Sequence, residues 1–394
     1  MKILLVQESD WLERGPHQSH HLMERLSKKD HVIRVIDFKT NWRQNKTRGI
    51  ISKRMVFENT FKAVQGGKIT VIRPPIIELP ILEYISLLFT HRREIKRQLK
   101  EFKPDIIIGF SILNSNLAIR LVKKRGIPFV YYIIDELFRL VPQKYFQNLA
   151  KYIESNNIKN ADKVLSINEA LREYTIQMGA EKEKTIVLPA GIDLEIFNPE
   201  LYNAAIKRKY GLNDEDIILF FMGWLYDFSG LKEIALELSK SIEKFPNIKL
   251  FIVGEGDLYD ELNSIKQEKL GNRMILMDWQ PYENIPSLIA ASDICILPAY
   301  NNEIMRNIVP IKIYEYMAME KPVIATNLPG IMKEFGENNG VIYVDNLNQV
   351  LDKASEIASK RMISNEGKKA RKFVEQNDWN NITKEFENIL RELI

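Results

Sequence analysis

Cysteine is almost absent from this sequence. Cys295 is the only one among 394 residues, so no disulfide framework can form within one chain, which fits a reducing compartment. It lies in the apolar run Asp293-Ile-Cys-Ile-Leu-Pro298 and reads as a core residue. No apolar run reaches the roughly 18 residues of a membrane span. The opening Met1-Lys-Ile-Leu-Leu-Val-Gln is too short for a signal peptide and reads as a first strand. Histidine is scarce too, with five in the chain. Three of them, His17, His20 and His21, stand together. His17 and His21 have helical zinc-ligand spacing, but no His-Glu-x-x-His pattern, cysteine or carboxylate pair completes a site. A contact with substrate is the expected use of these three. The Gly-Lys-Ser/Thr ending of a P-loop is missing as well, and the glycines are too widely spaced for a dinucleotide fingerprint. The expectation is a cytoplasmic protein, with a peripheral place at the inner membrane surface as the alternative. Neither a metal, a resident cofactor nor a nucleic-acid partner is expected.

What is present is enough for two domains. The length points to two rather than one, and 45% hydrophobic with 27% charged residues is the ordinary balance of globular cores. A net charge of +4 hides an asymmetry. Residues 1–180 hold 31 Lys+Arg and 18 Asp+Glu, a balance of +13, and the remainder holds 25 and 34, a balance of −9. A basic first half suits anionic lipid or a polyanionic acceptor, or is simply a solvated face.

Short apolar runs alternate with helical stretches, first over Lys2–Pro189 and again from Ile217 to Val344. Near-continuous apolar strands between helices predict parallel sheets covered on both faces. The expected architecture is α/β: two doubly wound, Rossmann-like domains, 1–195 and 196–378, with a helix over 379–394 packing back on the first. Ligands of such sheets bind beyond the carboxyl ends of the strands.

Candidate residues follow from that rule. Gly15 lies in the loop after the first strand, where a glycine lets backbone approach a phosphate or merely makes a turn. Gly223 and Gly230 bracket the loop after the first strand of the second domain, with Lys232 just inside the next helix, an arrangement that suits a diphosphate. Gly254-Glu255-Gly256 closes the following strand and gives a nucleobase or ribose room, or is a tight turn. Asp135 ends a strand and suits a general base, a hydroxyl acceptor or a helix cap. The richest segment is Asn307–Thr326: a loop with Asn307, Ile308 and Val309, then a helix carrying Lys312, Tyr314 and Glu315. A helix N-terminus favours anions, and Glu315 one turn in can accept hydrogen bonds from the vicinal hydroxyls of a ribose. An ordinary amphipathic helix is the competing reading.

Four segments together resemble the retaining family 4, or group 1, of the GT-B glycosyltransferases. They are Val187–Pro199, Ile252-Val-Gly-Glu-Gly-Asp257, Ile289–Pro298 and Tyr314-Glu-Tyr-Met-Ala-Met-Glu-Lys-Pro-Val-Ile-Ala-Thr326. The resemblance runs in order over nearly the whole chain. It implies transfer of a sugar from a nucleotide-diphosphate donor, bound mainly on the second domain, to a glycan or lipid-linked acceptor on the first, without a metal. It also implies that Glu315 is the second glutamate of the family's pair, on the ribose, and that Gly15 belongs to the loop near the diphosphate. The chain departs from the family at the first glutamate, where Asn307 stands. It departs again at the two diphosphate cations, replaced by Trp224 and Ser229, and at the histidine before Asp135, replaced by Ile134. Lys312, Lys232 or Arg306 must then supply the positive charge, and Lys312 shares a helix face with Glu315. Catalysis is expected from Asp135, Lys312 and Lys232. A degenerate member that binds a nucleotide sugar or glycan without transfer is the alternative function, and nucleotide-sugar epimerisation is a third.

Overall fold

Runs such as Ile217-Ile-Leu-Phe-Phe-Met222 set the strands: β-branched and aromatic side chains buried on both faces favour parallel pairing. A computed structural model describes the chain except for residues 14–15, 40–49, 142, 203–204, 304 and 307–308. The expected donor-side residues Gly15, Asn307 and Ile308 lie outside the described residues.

The chain divides into two compact units, Met1–Gly191 with Trp379–Ile394, and Ile192–Asp378. In the first unit the strands are β1 Lys2–Val6, β2 Val32–Ile36, β3 Met55–Thr60, β4 Ile69–Arg73, β5 Ile106–Gly109, β6 Phe129–Ile133, β7 Lys163–Ser166 and β8 Thr185–Val187. They form one sheet in the order β3-β4-β2-β1-β5-β6-β7-β8. Every pair is parallel except β3 with β4. Its helices are α1 Gln18–Ser27, α2 Leu82–Glu101, α3 Leu113–Val122, α4 Lys144–Asn160 and α5 Glu169–Gln177.

The second unit carries β9 Ile217–Met222, β10 Ile248–Val253, β11 Met274–Met277, β12 Ile294–Leu297, β13 Val323–Thr326 and β14 Val341–Val344. They form a fully parallel sheet in the order β11-β10-β9-β12-β13-β14. Around it lie α6 Ala205–Lys209, α7 Leu231–Lys240, α8 Tyr259–Ile265, α9 Ile285–Ala290, α10 Ile311–Ala318, α11 Pro329–Phe335, α12 Gln349–Ser359 and α13 Ile363–Val374. Both sheets are the doubly wound α/β type expected.

The last helix, α14 Trp379–Arg391, packs on the first unit. Its Trp379, Ile382, Phe386, Ile389 and Leu390 join the core beneath α1. Trp379 stacks on His21 at 4.4 Å, and a methyl group at Gly191 would lie 2.4 Å from the same indole. That contact leaves room for nothing larger than glycine. Cys295 is fully buried, and burial pushes its thiol up to about 12. Among the described residues no helix is long and apolar enough to cross a membrane.

Candidate active site

Three residue groups of the second unit meet beyond the carboxyl ends of β9, β10 and β12. The first is backbone. Gly223 and Gly254 hold φ of +127° and +147°, values that L side chains rarely adopt. A methyl at Gly254 would sit 1.9 Å from the Gly223 carbonyl oxygen. The Leu225 N–H donates to the Glu255 carbonyl at 2.9 Å, and the Leu258 N–H donates to the Leu225 carbonyl at 3.1 Å. The loops after β9 and β10 are thus locked together. Glu255 lends its backbone to that lock while its side chain is exposed.

The second group is Lys312, in the first turn of α10. Its ammonium lies 4.3 Å from the Phe221 ring centroid, and a methyl at Gly223 would be only 2.5 Å from Nζ. Phe221 is the penultimate residue of β9, so the strand itself aims the aromatic face at the cation. Lys312 forms no ion pair with any described residue. It is held by cation–π attraction, next to the free N–H groups of a helix start. Burial pulls its pKa down to about 8, and the neighbouring Glu315 charge opposes that fall. A cation short of anionic partners at a helix N-terminus and a glycine turn is the basic requirement of a phosphate site.

The third group is Glu315, one turn on and 7% exposed. Burial pushes its carboxyl up to about 7, against a hydrogen bond from Tyr282 and the charge of Lys312. Hydroxyl donors from a ligand would favour the ionised form. The other α10 residues serve packing. Tyr314 donates its hydroxyl to Glu334 and packs at a tilt against Phe335, ring centroids 5.0 Å apart. The Tyr316 hydroxyl oxygen accepts from the Met222 N–H at 2.9 Å. Val309 packs on the unit's core.

Lys232 stands apart from this group. It is partly exposed and ion-paired to Glu261 of α8 at 2.5 Å, and that hydrogen bond raises its pKa. Arg306 is exposed. Lys232→Ala is therefore expected to change donor affinity within about twofold, the scale of exposed ion pairs. Titration with a nucleoside diphosphate measures this, and a tenfold loss would place Lys232 in the site.

In the first unit the expected residues are dispersed. Asp135 follows β6 with an exposed side chain, and its carboxylate accepts from the Glu136 N–H at 2.8 Å. Surrounding protein and the Glu136 charge raise its pKa against that bond. His17 alone of the three histidines is exposed. His20 accepts from the His17 N–H at Nδ1, 3.1 Å, and its Nε2 lies 2.9 Å from the Trp11 carbonyl. One neutral tautomer, protonated at Nε2, satisfies both contacts. Burial lowers His20 to about 4 and His21 to about 3. His21 is sandwiched against Trp379 and bonded to Arg25 at 3.0 Å.

Several residues here carry no sequence signal: Phe221 and Tyr282 around α10, and a buried triad in the first unit. Arg73 donates to Asp10 and Asp37, each at 2.6 Å. Asp10 and Asp37 are fully buried, and Arg73 is nearly so. Asp10 also accepts from the Leu12 and Glu13 N–H groups, and Asp37 from that of Trp11. The triad therefore fixes the loop that leads from β1 towards Gly15. Each member stands at or just beyond a strand end, so no local pattern in the sequence announces it.

Comparison with known proteins gives this arrangement its class. The family described as glycosyl transferases group 1 matches residues 203–378, and glycosyltransferase family 4 matches residues 18–196. Together they span most of the chain, which belongs to the group 1, family 4 glycosyltransferases of GT-B fold. Among curated relatives, an Escherichia coli UDP-Gal:alpha-D-GlcNAc-diphosphoundecaprenol alpha-1,3-galactosyltransferase is 26% identical over 59% of this chain and 60% of its own length. The Streptomyces kanamyceticus alpha-D-kanosaminyltransferase is 26% identical over 47% of this chain and 47% of its own length. The chain thus spans about half to three-fifths of the length of these relatives. Among solved structures, a sucrose-phosphate synthase from Thermosynechococcus elongatus superposes with TM-score 0.73 at 18% identity, covering 100% of this chain and 98% of that one. Anabaena HepE in complex with UDP does so with TM-score 0.73 at 16% identity and full coverage of both chains. At such identities these structures speak to the fold alone.

Proposed function

We propose that this protein transfers a hexosyl-type sugar from a nucleotide-diphosphate donor, bound on the second unit, to a glycan or lipid-linked acceptor, with retention of configuration. The observation that carries the reading is the Lys312–Glu315 pair on α10. A cation with no carboxylate bonded to it faces the glycine turn after β9, and a buried carboxylate lies one helical turn further on. The diphosphate sits against Lys312 and the N-terminus of α10, and Glu315 accepts from the ribose hydroxyls. The acceptor oxygen bonds to the anomeric carbon on the face from which the diphosphate leaves, and the acceptor proton passes to the departing phosphate oxygen. Charge grows on the leaving group as the C–O bond breaks, so the main protein contribution is positive charge at the diphosphate. Lys312 takes the place of the two cations whose family positions hold Trp224 and Ser229. No metal is needed in this scheme. Asp135 is the acceptor-side candidate for orienting the attacking hydroxyl, with His17 the exposed histidine nearest it in role. The names of the relatives support a nucleotide-sugar donor and, for the galactosyltransferase, a diphosphoundecaprenol-linked acceptor.

A thermal-shift screen with UDP, GDP and ADP tests the donor site directly. Saturation at about 100 times Kd stabilises the native state by about 2.7 kcal/mol, and one nucleobase should stand out. No shift with any nucleoside diphosphate sinks the reading. A shift without acceptor-dependent release of nucleoside diphosphate, across a panel of sugars and acceptors, would favour the degenerate binding protein instead. Trp224 and Ser229 are the observation behind that second reading. The pH dependence is a further check. Burial makes the free Lys312 lose its proton near pH 8, so kcat/KM should fall as pH rises through about 8, with Lys312→Arg moving that limb upward. A flat profile from pH 7 to 9.5 would remove Lys312 from the site.

A further inference from the structure

The helical layer formed by α2, α3 and α4 covers one side of the first unit's sheet. Buried residues of all three helices share a single core with β1, β2, β5, β6 and β7, and α3 contacts both neighbours. Two of these helices bury polar groups beside their core residues and leave apolar side chains outside. α4 buries Glu154 and Asn157 completely and offers Tyr145, Leu149 and Tyr152 to solvent, at i, i+4 and i+7 along one face. Tyr145 is 70% exposed and Tyr152 72%. The first half of α2 repeats the pattern. Glu83, Ser86 and His91 turn inward beside Leu87, while Ile85, Leu88 and Phe89 turn outward, Phe89 with 73% of its surface bare.

The stripe does not end at Phe89. The next turns of the same face carry Arg92, Arg93 and Lys96, all exposed. None of these three makes an ion pair with a described residue. The outer face of α2 thus passes from apolar to cationic within one helix. Lys144 and Lys151, both exposed, flank the aromatics of α4. Apolar surface left bare on a helix that buries carboxylate and amide groups is costly in water, and it marks a face with a partner. The chemistry of that partner must include both apolar depth and negative charge.

We propose that this α2–α4 face docks on an anionic lipid surface. Phe89, Leu88 and the α4 tyrosines enter the boundary between headgroups and acyl chains, and Arg92, Arg93 and Lys96 meet the headgroup phosphates. The +13 balance of residues 1–180 draws the same unit towards such a surface. A second copy of the chain fits less well. Stacked in parallel, two such faces oppose arginine with arginine, and stacked antiparallel they bury aliphatic side chains against guanidinium groups. A nucleic acid would leave Ile85 and Leu88 without a use. The inference does not depend on the donor site, so the two can fail separately.

Co-sedimentation of the full chain with vesicles tests it, using phosphatidylcholine alone and phosphatidylcholine with about 30% phosphatidylglycerol, at low and high salt. Binding should be at least about tenfold stronger to the anionic vesicles at low salt. It should fall about tenfold in Phe89→Glu and again in Arg92→Glu/Arg93→Glu, with nucleotide-induced thermal shifts unchanged. Tyr152→Glu on α4 provides an independent variant of the same face should the α2 changes disturb folding. Absence of binding to anionic vesicles at low salt overturns the proposal. So does binding that neither the α2 nor the α4 variants weaken. Concentration-dependent self-association that Phe89→Glu abolishes, without vesicle binding, assigns the face to a second copy instead.

Discussion

Lys312→Met lowers kcat/KM for sugar transfer by about 10²–10³-fold, the scale of removing one preorganised group from a developing negative charge, while leaving the free protein at least as stable as before. The two halves of this expectation have one cause. The ammonium sits over Phe221 and against Gly223 without a bonded carboxylate, so burial penalises its charge and lowers its pKa to about 8. A lysine whose folded pKa lies below its unfolded value destabilises the fold wherever it is charged in the unfolded chain. That penalty is present below about pH 8 and is relieved as pH rises from there towards 10.5. Methionine keeps much of the volume and the contact with the ring while removing the charge. At pH 7 the variant should gain about 1 kcal/mol, after the lost cation–π attraction is set against the relieved desolvation. The position is thus strained in the free protein and satisfied only when a diphosphate arrives. Urea unfolding and initial rates on the same preparations measure both halves. A variant that is less stable by more than about 1 kcal/mol, with transfer intact, would make Lys312 a structural residue.

The strands could be read because their burial is simple. Runs such as Ile294-Cys-Ile-Leu297 and Val323-Ile-Ala-Thr326 are buried on both faces, so hydrophobicity alone marks them. Edge strand β3 escapes that reading, because four of its six residues are exposed and it pairs antiparallel at the sheet margin. Helix α4 escapes for a different reason. A helix is read from an apolar stripe facing the core, and here the stripe of Tyr145, Leu149 and Tyr152 faces out. The first half of α2, from Leu82, hides in the same way, because Ile85, Leu88 and Phe89 face out. What hides these helices from pattern reading is also what distinguishes their outer face. In the candidate site, Lys312 and Glu315 were legible because a spacing of three positions puts both on one helix face. Phe221 and Tyr282 reach the same place from 91 and 33 residues before Lys312 and Glu315 respectively, and only the sheet brings them there. The three histidines stood as one cluster in the sequence. The fold gives His20 to the Trp11 loop and His21 to Trp379, with His17 exposed at the start of α1.

The buried triad sets the second large effect. Arg73→Met should destabilise the protein by about 3–5 kcal/mol at pH 7, because it leaves the Asp10 and Asp37 carboxylates facing each other without their cation. Burial already lowers the tendency of Arg73 to stay charged, and the two aspartates more than reverse that. On the other side, burial holds Asp37 above the usual carboxylate range, and Asp10 adds to that, even with Arg73 bonded to it. Removing the guanidinium pushes Asp37 further up. A carboxylate whose folded pKa exceeds its unfolded value loses stability as pH rises from the unfolded towards the folded value. The cost of the substitution should accordingly shrink as pH is lowered and Asp37 takes up a proton. Replacing all three members together, Asp10→Asn, Asp37→Leu and Arg73→Met, should cost less than Arg73→Met alone, since no buried charge is then left unpaired. The loss should also loosen the loop after β1: with Asp10 and Asp37 no longer fixed, the N–H groups of Trp11, Leu12 and Glu13 lose their anchor. Urea denaturation across pH 5–8 separates this from a surface pair. A cost below about 1 kcal/mol at pH 7, or one independent of pH, would mean that water or relaxation compensates the two aspartates and that the loop after β1 stands without them.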